Sequence, residues 1–123
     1  MRTPHINLKR VYEDPSADDG LRLLVERLWP RGLSRDAAHI DHWFKNLAPS
    51  ADLCRWYDHI PERWPEFKKL YSAELRHAPE EQLNALLHLC ARQQVTFIFA
   101  ARDEARNSAI VLRAFILQKL KSS

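Results

Sequence analysis

Apolar and polar positions follow two different periods along this chain, and each change of period marks an element. Ile6-Asn7-Leu8-Lys9-Arg10-Val11-Tyr12 alternates, which predicts a strand with one polar face over residues 6–12. Glu13-Asp14-Pro15-Ser16-Ala17-Asp18-Asp19-Gly20 is built of turn residues and predicts a loop. Residues 21–27 form a more apolar run, a strand nearer the centre of a sheet, and Pro30 and Gly32 end it. Val95-Thr96-Phe97-Ile98-Phe99-Ala100-Ala101 is β-branched, aromatic and apolar on both sides, the pattern of a parallel strand covered on both faces.

Between these runs the period is helical. Ser34 is placed to cap a short turn with Asp36 in it, and Ser50 to open a helix carrying Leu53, Trp56 and Tyr57 on one face. Residues 40–47 have a mixed pattern that fits no single element. Pro61 interrupts. Phe67, Leu70, Tyr71 and Leu75 then recur at helical spacing, and Pro79 with Glu80 and Glu81 opens a helix turning Leu83, Leu86, Leu87 and Cys90 inward. Residues 108–121 predict a last helix that is apolar around most of its circumference. One side must face the sheet. The other, around Ile110, Leu117 and Leu120, suits another helix or a second subunit, giving a homodimer through the C-terminal helix.

The order strand, strand, several helices, strand, helix predicts an α/β fold. It is a small open, at least partly parallel sheet flanked by helices, a Rossmann-like layer arrangement, in one domain over 1–123. The strands at 21–27 and 95–101 are expected to share a sheet with their carboxyl ends on one edge.

Composition narrows the function. Apolar residues make up 46% of 123 positions, enough for a packed core. The 19 basic and 16 acidic residues are interspersed, leaving a net charge of +3. That balance suits a small anionic partner and argues against nucleic acid, since mixed charges cancel the long-range field. Two cysteines, Cys54 and Cys90, make no C-x-x-C pair and point to a reduced, cytoplasmic setting; both are expected to be buried small hydrophobes. No apolar run follows the amino terminus as in a signal peptide, and none approaches the roughly 20 residues of a membrane span, so no membrane partner is expected.

In open α/β sheets ligands bind beyond the carboxyl ends of the strands. Those ends here are Tyr12, the segment Arg27-Leu28-Trp29-Pro30-Arg31-Gly32 and the turn Arg102-Asp103-Glu104-Ala105-Arg106-Asn107, which also opens the last helix. Helix N-termini and arginine forks both suit anions. Arg27, Arg31 and Arg102 are therefore candidate ligand-binding residues, together with Trp29 and Asn107, and Arg106 adds a further guanidinium. Asp103 and Glu26 are the candidate general acid/base groups should the site be catalytic. Each has a structural reading beside the functional one. Arg27 can pair with Glu26, Asp41 or Asp103, Asp103 and Asn107 can cap helices, and Trp29 can be a core or lid aromatic. Arg31, between Pro30 and Gly32, has the least secondary structure to support. His39 and His42 lack a third ligand at a recognised spacing, so neither metal nor cofactor is expected, and two glycines exclude a glycine-rich phosphate loop.

Leu8-Lys9-Arg10-Val11-Tyr12, Asp19-Gly20 and Val25-Glu26-Arg27-Leu28-Trp29-Pro30-Arg31-Gly32 closely resemble the YeaO-like family of small bacterial proteins, a domain of unknown function. Leu47-Ala48-Pro49-Ser50, Phe67-x-x-x-Tyr71-x-x-Glu74-Leu75, Ala100-Ala101-x-Asp103 and Asn107-x-Ala109 continue the resemblance over nearly the whole chain. It implies a compact α/β protein. Some members carry a transcriptional-regulator label, but no helix-turn-helix is visible here. Glu26 stands where the family usually has aspartate, and Arg102 where it usually has lysine. The leading expectation is a binder of a small anion, a nucleotide or phosphorylated metabolite, at the strand ends, with enzyme activity open. The alternatives are a nucleic-acid-associated regulatory module and a protein-interaction module.

Overall fold

The strand foreseen at 95–101 is the middle of the sheet. In the computed structural model, which describes residues 5–122, β4 (Val95–Phe99) lies between β1 (Ile6–Arg10) and β2 (Leu21–Leu24), and β3 (His42–Trp43) flanks β2. All neighbouring strands are parallel, with Leu8 and Leu23 both opposite Phe97. The carboxyl ends of β2 and β4 therefore share an edge, as expected. Every residue of β4 is buried, with an exposure of 2% or less. Enclosing a single phenylalanine such as Phe97 contributes about 1.5–3 kcal/mol.

The strands are shorter than their apolar patterns. Ladder bonds continue one residue past two of them, from the Val11 amide to the Phe99 carbonyl (2.7 Å) and from the Val25 amide to the Ile98 carbonyl (3.1 Å). Beyond Val11 the chain turns, and Glu13 folds back to accept from the Arg10 amide at 2.9 Å. Beyond Val25 it leaves the sheet toward Pro30. The unassigned stretch at 40–47 supplies the two-residue β3 and a 3-10 turn over Lys45–Leu47.

Residue alternation sends Leu23, Val25, Phe97 and Phe99 to one face. There they meet α2 (Ala51–Tyr57), α3 (Trp64–Arg76), α4 (Glu80–Arg92) and α5 (Ser108–Ser122). Leu24 and Ile98 face the other way, against Val11 and Ala38 of the short α1 (Arg35–Ala38). Ser34 and Ser50 cap α1 and α2 as anticipated, accepting from the Ala37 and Leu53 amides. The second side of α5 is largely occupied: the helix packs on α3 and α4, and Leu117 and Leu120 lie partly buried against the main core. Among the described residues no helix is long and apolar enough to cross a membrane.

The thinner face carries a buried charge cluster. Asp19 accepts from the Lys9 ammonium (2.8 Å) and from Arg22 Nη1 (2.6 Å), and its carboxylate also receives the Ser16 amide (3.0 Å). Arg22, only 4% exposed, further donates to the Ala38 carbonyl through Nε and Nη2. The Thr96 hydroxyl donates to the Asp19 carbonyl at 2.7 Å. One carboxylate thus joins β1 and β2, while its own backbone is held to β4. Next to it, Gly20 has φ +65°, and a Cβ there would stand 2.2 Å from the Gln94 carbonyl oxygen, so only glycine fits.

Candidate functional site

A cavity of about 530 Å³ opens at the carboxyl ends of the strands. Three chain segments meet there, as the topology requires: Tyr12 after β1, residues 26–31 after β2, and Ala100, Ala101 and Arg106 to Ser108 after β4. The helical layer closes the remainder through Ala48, Pro49, Cys54, Tyr57, His59 and Phe67. Its size falls in the range of roughly 300–1,000 Å³ typical of small-molecule pockets.

The rim is braced by backbone-directed bonds. Arg10 donates to the carbonyls of Ala101 (2.9 Å) and Ala100 (3.3 Å), fixing the chain just past β4. The Tyr12 hydroxyl donates to the Arg31 carbonyl at 3.2 Å, and Gly32, at φ +78°, lets the chain reverse after it. Trp29 is half-buried: its indole N–H donates to the Leu33 carbonyl (2.8 Å), and its ring meets Trp43 edge-on at 5.5 Å. It is a fixed wall of the cavity.

Of the residues singled out from the sequence, Glu26, Arg27, Trp29, Arg31 and Asn107 line this cavity, whereas Arg102 and Asp103 do not. Asp103 is turned into its own loop. Its carboxylate accepts from the Ala105 and Arg106 amides (2.9 and 3.0 Å) and from Arg106 Nε (2.9 Å). The Ala105 amide bond, with the Arg106 bonds behind it, outweighs burial and holds the Asp103 carboxyl below its ordinary range. Arg102 is exposed. Asn107 caps α5: its side-chain oxygen accepts from the Ile110 amide and its amide donates to the Asp103 carbonyl. The Ser108 and Ala109 amides carry no hydrogen bond among the described residues.

Glu26 is half-buried, and one of its oxygens accepts from the Ala100 amide at 2.9 Å across the ends of β2 and β4. Burial pushes its pKa up, partly opposed by that bond and by His59. Arg27 and Arg31 are exposed, and neither guanidinium forms an ion pair or hydrogen bond among the described residues. The pairings considered for Arg27 are absent, because Asp41 binds the Arg22 amide and Asp103 binds Arg106.

Three lining residues escape a sequence reading. Tyr57 reads as ordinary core: it is 6% exposed and stacked on Phe67 at 4.5 Å. Its hydroxyl nevertheless forms no hydrogen bond among the described residues. Since no fully enclosed side-chain nitrogen or oxygen among the described residues lacks a partner, that hydroxyl keeps some exposure, and Tyr57 is one of the residues lining the cavity. Burial and the nearby Asp103 charge push its pKa up, with Arg106 opposing, so it stays a donor. His59 reaches the rim because Asp58 and His59 follow α2 in succession with φ 45° and 54°, left-handed geometry that non-glycine residues adopt at some cost. Cys54, expected to be buried, is exposed at the cavity wall; burial of its sulfur still raises the thiol pKa, so it is not an activated thiolate. Cys90 is buried as anticipated.

Relatives agree on the family. The chain is 42% identical over 112 residues to uncharacterized protein Rv3073c of Mycobacterium tuberculosis, covering 91% of this chain and 93% of that protein. It is 33% identical over 108 residues to uncharacterized protein YeaO of Escherichia coli, covering 88% and 93%. No solved structure matches. Residues 5–123 match a protein family described as the inactive DUF488-N3 subclade. This chain therefore belongs to the YeaO-like DUF488-N3 proteins, within the subclade described as inactive.

Proposed function

We propose that the chain binds a small anionic molecule, a nucleotide or phosphorylated metabolite, in the strand-end cavity and acts as a binding protein rather than a catalyst. The observation that carries this reading is the pair of guanidiniums, Arg27 and Arg31, standing without ion pairs beside a cavity that also meets the amino-terminal turn of α5. Unpaired arginine forks and free helix amides are the two commonest protein devices for holding phosphate or carboxylate. The preference for binding over catalysis rests on the carboxylates. Asp103 is saturated by its own loop, and Glu26 holds the end of β4. A pair of carboxylates dividing the acid and base roles has no second member here, since Glu26 is the only carboxylate lining the cavity among the described residues. The description of the subclade as inactive supports the same choice.

Titration with inorganic phosphate and sulfate, followed by amide chemical shifts, tests the reading. Shifts are expected in residues 27–31 and 106–109. Arg31→Ala and Arg27→Ala should each weaken binding by about ten-fold with little change in melting temperature, since both side chains are exposed. Wild-type affinity in both variants would refute it.

A further inference from the structure

Glu26 brings a negative charge to a cavity otherwise furnished for anions. Its bond from the Ala100 amide uses one oxygen, and the other has no partner among the described residues. Since no fully enclosed side-chain oxygen among them lacks a partner, that second oxygen keeps some exposure, and Glu26 lines the cavity. Glu26 also forms no ion pair among the described residues; His59 acts on it only from beyond salt-bridge distance. Bracing β2 against β4 does not require a charge. A glutamine carbonyl would accept from the same amide without the cost of desolvating a carboxylate. A half-buried carboxylate with a free oxygen is suited to a cationic partner, which offsets that cost.

The opposite charge stands close by. Burial is the largest influence on the Cys54 thiol, followed by the Arg27 cation, which lowers its pKa, and the Glu26 anion, which raises it. Both charges therefore lie within electrostatic reach of one sulfur on the cavity wall. Arg31 lines the same cavity, and its guanidinium, like that of Arg27, is without a partner among the described residues. Arg106 differs, because its Nε already serves Asp103. A simple anion drawn to Arg27 and Arg31 is opposed by the Glu26 charge. The same anion carrying an ammonium turns that repulsion into attraction.

We infer, resting on the anion reading, that the ligand is a small phosphate that also bears an ammonium group, with its phosphate on Arg27 and Arg31 and its ammonium on the free oxygen of Glu26. Calorimetric titration with 2-aminoethyl phosphate and with propyl phosphate, in which a methyl replaces the ammonium, isolates the Glu26 contact. The wild type should bind the aminated probe about ten-fold tighter, as a charge-assisted hydrogen bond allows. Glu26→Gln can still accept from the Ala100 amide and should bring the two affinities together. Arg27→Ala and Arg31→Ala should weaken both probes alike. At saturation the aminated probe should slow iodoacetamide alkylation of Cys54, the exposed thiol beside which it is held; Cys90 is buried.

Equal affinities for the two probes in the wild type, or a Glu26→Gln variant that keeps the preference, would overturn the ammonium contact and leave the anion reading standing. Unchanged alkylation of Cys54 at saturation would overturn the placement of the ligand between Arg27 and Glu26. Wild-type affinity for both probes in both arginine variants, or failure of both probes to bind a protein whose melting curve shows it folded, would overturn this inference and the anion reading together.

Discussion

Replacing Asp19 by alanine removes the carboxylate that, among the described residues, alone pairs with a guanidinium the fold has enclosed. Arg22 is 4% exposed, and Asp19 accepts its Nη1 at 2.6 Å. The two bonds from Arg22 to the Ala38 carbonyl survive the substitution, but they carry no charge. Removing one partner of a buried ion pair destabilises by about 3–5 kcal/mol, because the remaining charge is left desolvated. Lys9 contributes little to this loss, since its side chain is 20% exposed and can turn to water. For a chain of this length, unfolding entropy near 2 cal/mol/K per residue converts that range to a fall in melting temperature of roughly 12–20 °C. Differential scanning calorimetry at pH 7 measures it directly. Burial alone would raise the Asp19 pKa, yet the bonds from Lys9, the Ser16 amide and Arg22 together hold it below its ordinary 3.8. Its contribution is therefore complete above pH 3.8 and is lost as pH falls through the lowered value, so the gap between wild type and variant should narrow in acid. The double variant Asp19→Ala/Arg22→Met should melt above the single one, since an apolar side chain leaves no charge stranded. A single-variant fall below about 4 °C, or a double variant that melts lower still, would refute the reasoning.

Gly20→Ala should lower the melting temperature by at least several degrees, because both the backbone angle and the Gln94 carbonyl reject a Cβ; a melt unchanged within a degree would show that the loop simply shifts. Glu26→Gln should stabilise the ligand-free protein at pH 7. The raised Glu26 pKa means that ionisation weakens the fold as pH climbs above 4.5, and the advantage should vanish in melts below that pH. Duplex DNA should bind no tighter than the non-specific micromolar range at physiological salt, because acids such as Glu66 and Glu74 sit among the bases of α3; nanomolar, sequence-selective anisotropy would contradict this.

The sheet was legible because its central strands are apolar on both sides. That pattern suits few environments other than the interior of a layered fold, and it placed β2 and β4 correctly. β3 was not legible: His42 and Trp43 pair with Leu23 and Leu24 by position, with no strand pattern of their own. Of the candidate site, the segment after β2 was readable because arginines and a tryptophan beside Pro30 and Gly32 have no obvious structural use. Arg102 and Asp103 were equally conspicuous, yet an Asp three residues before an arginine satisfies that arginine and its amide locally and turns away from the cavity. Tyr57 and His59 stayed hidden for a different reason. Helical spacing places a tyrosine on a face without saying where its hydroxyl ends, and successive left-handed residues leave no mark when neither is glycine.

The placement of β4 between β1 and β2 also orders events in time. The two amino-terminal strands are not neighbours in the sheet, so until residues 95–99 arrive β1 has no strand beside it and β2 has only the two residues of β3. During synthesis the apolar faces of β2 and of the intervening helices have no template on which to settle. Pairing then closes loops of about seventy and ninety residues at once, the kind of distant contact that slows folding. Nascent chains stalled before residue 95 should stay protease-sensitive and dependent on holding chaperones, and protection should appear abruptly once β4 has left the ribosome rather than build up helix by helix.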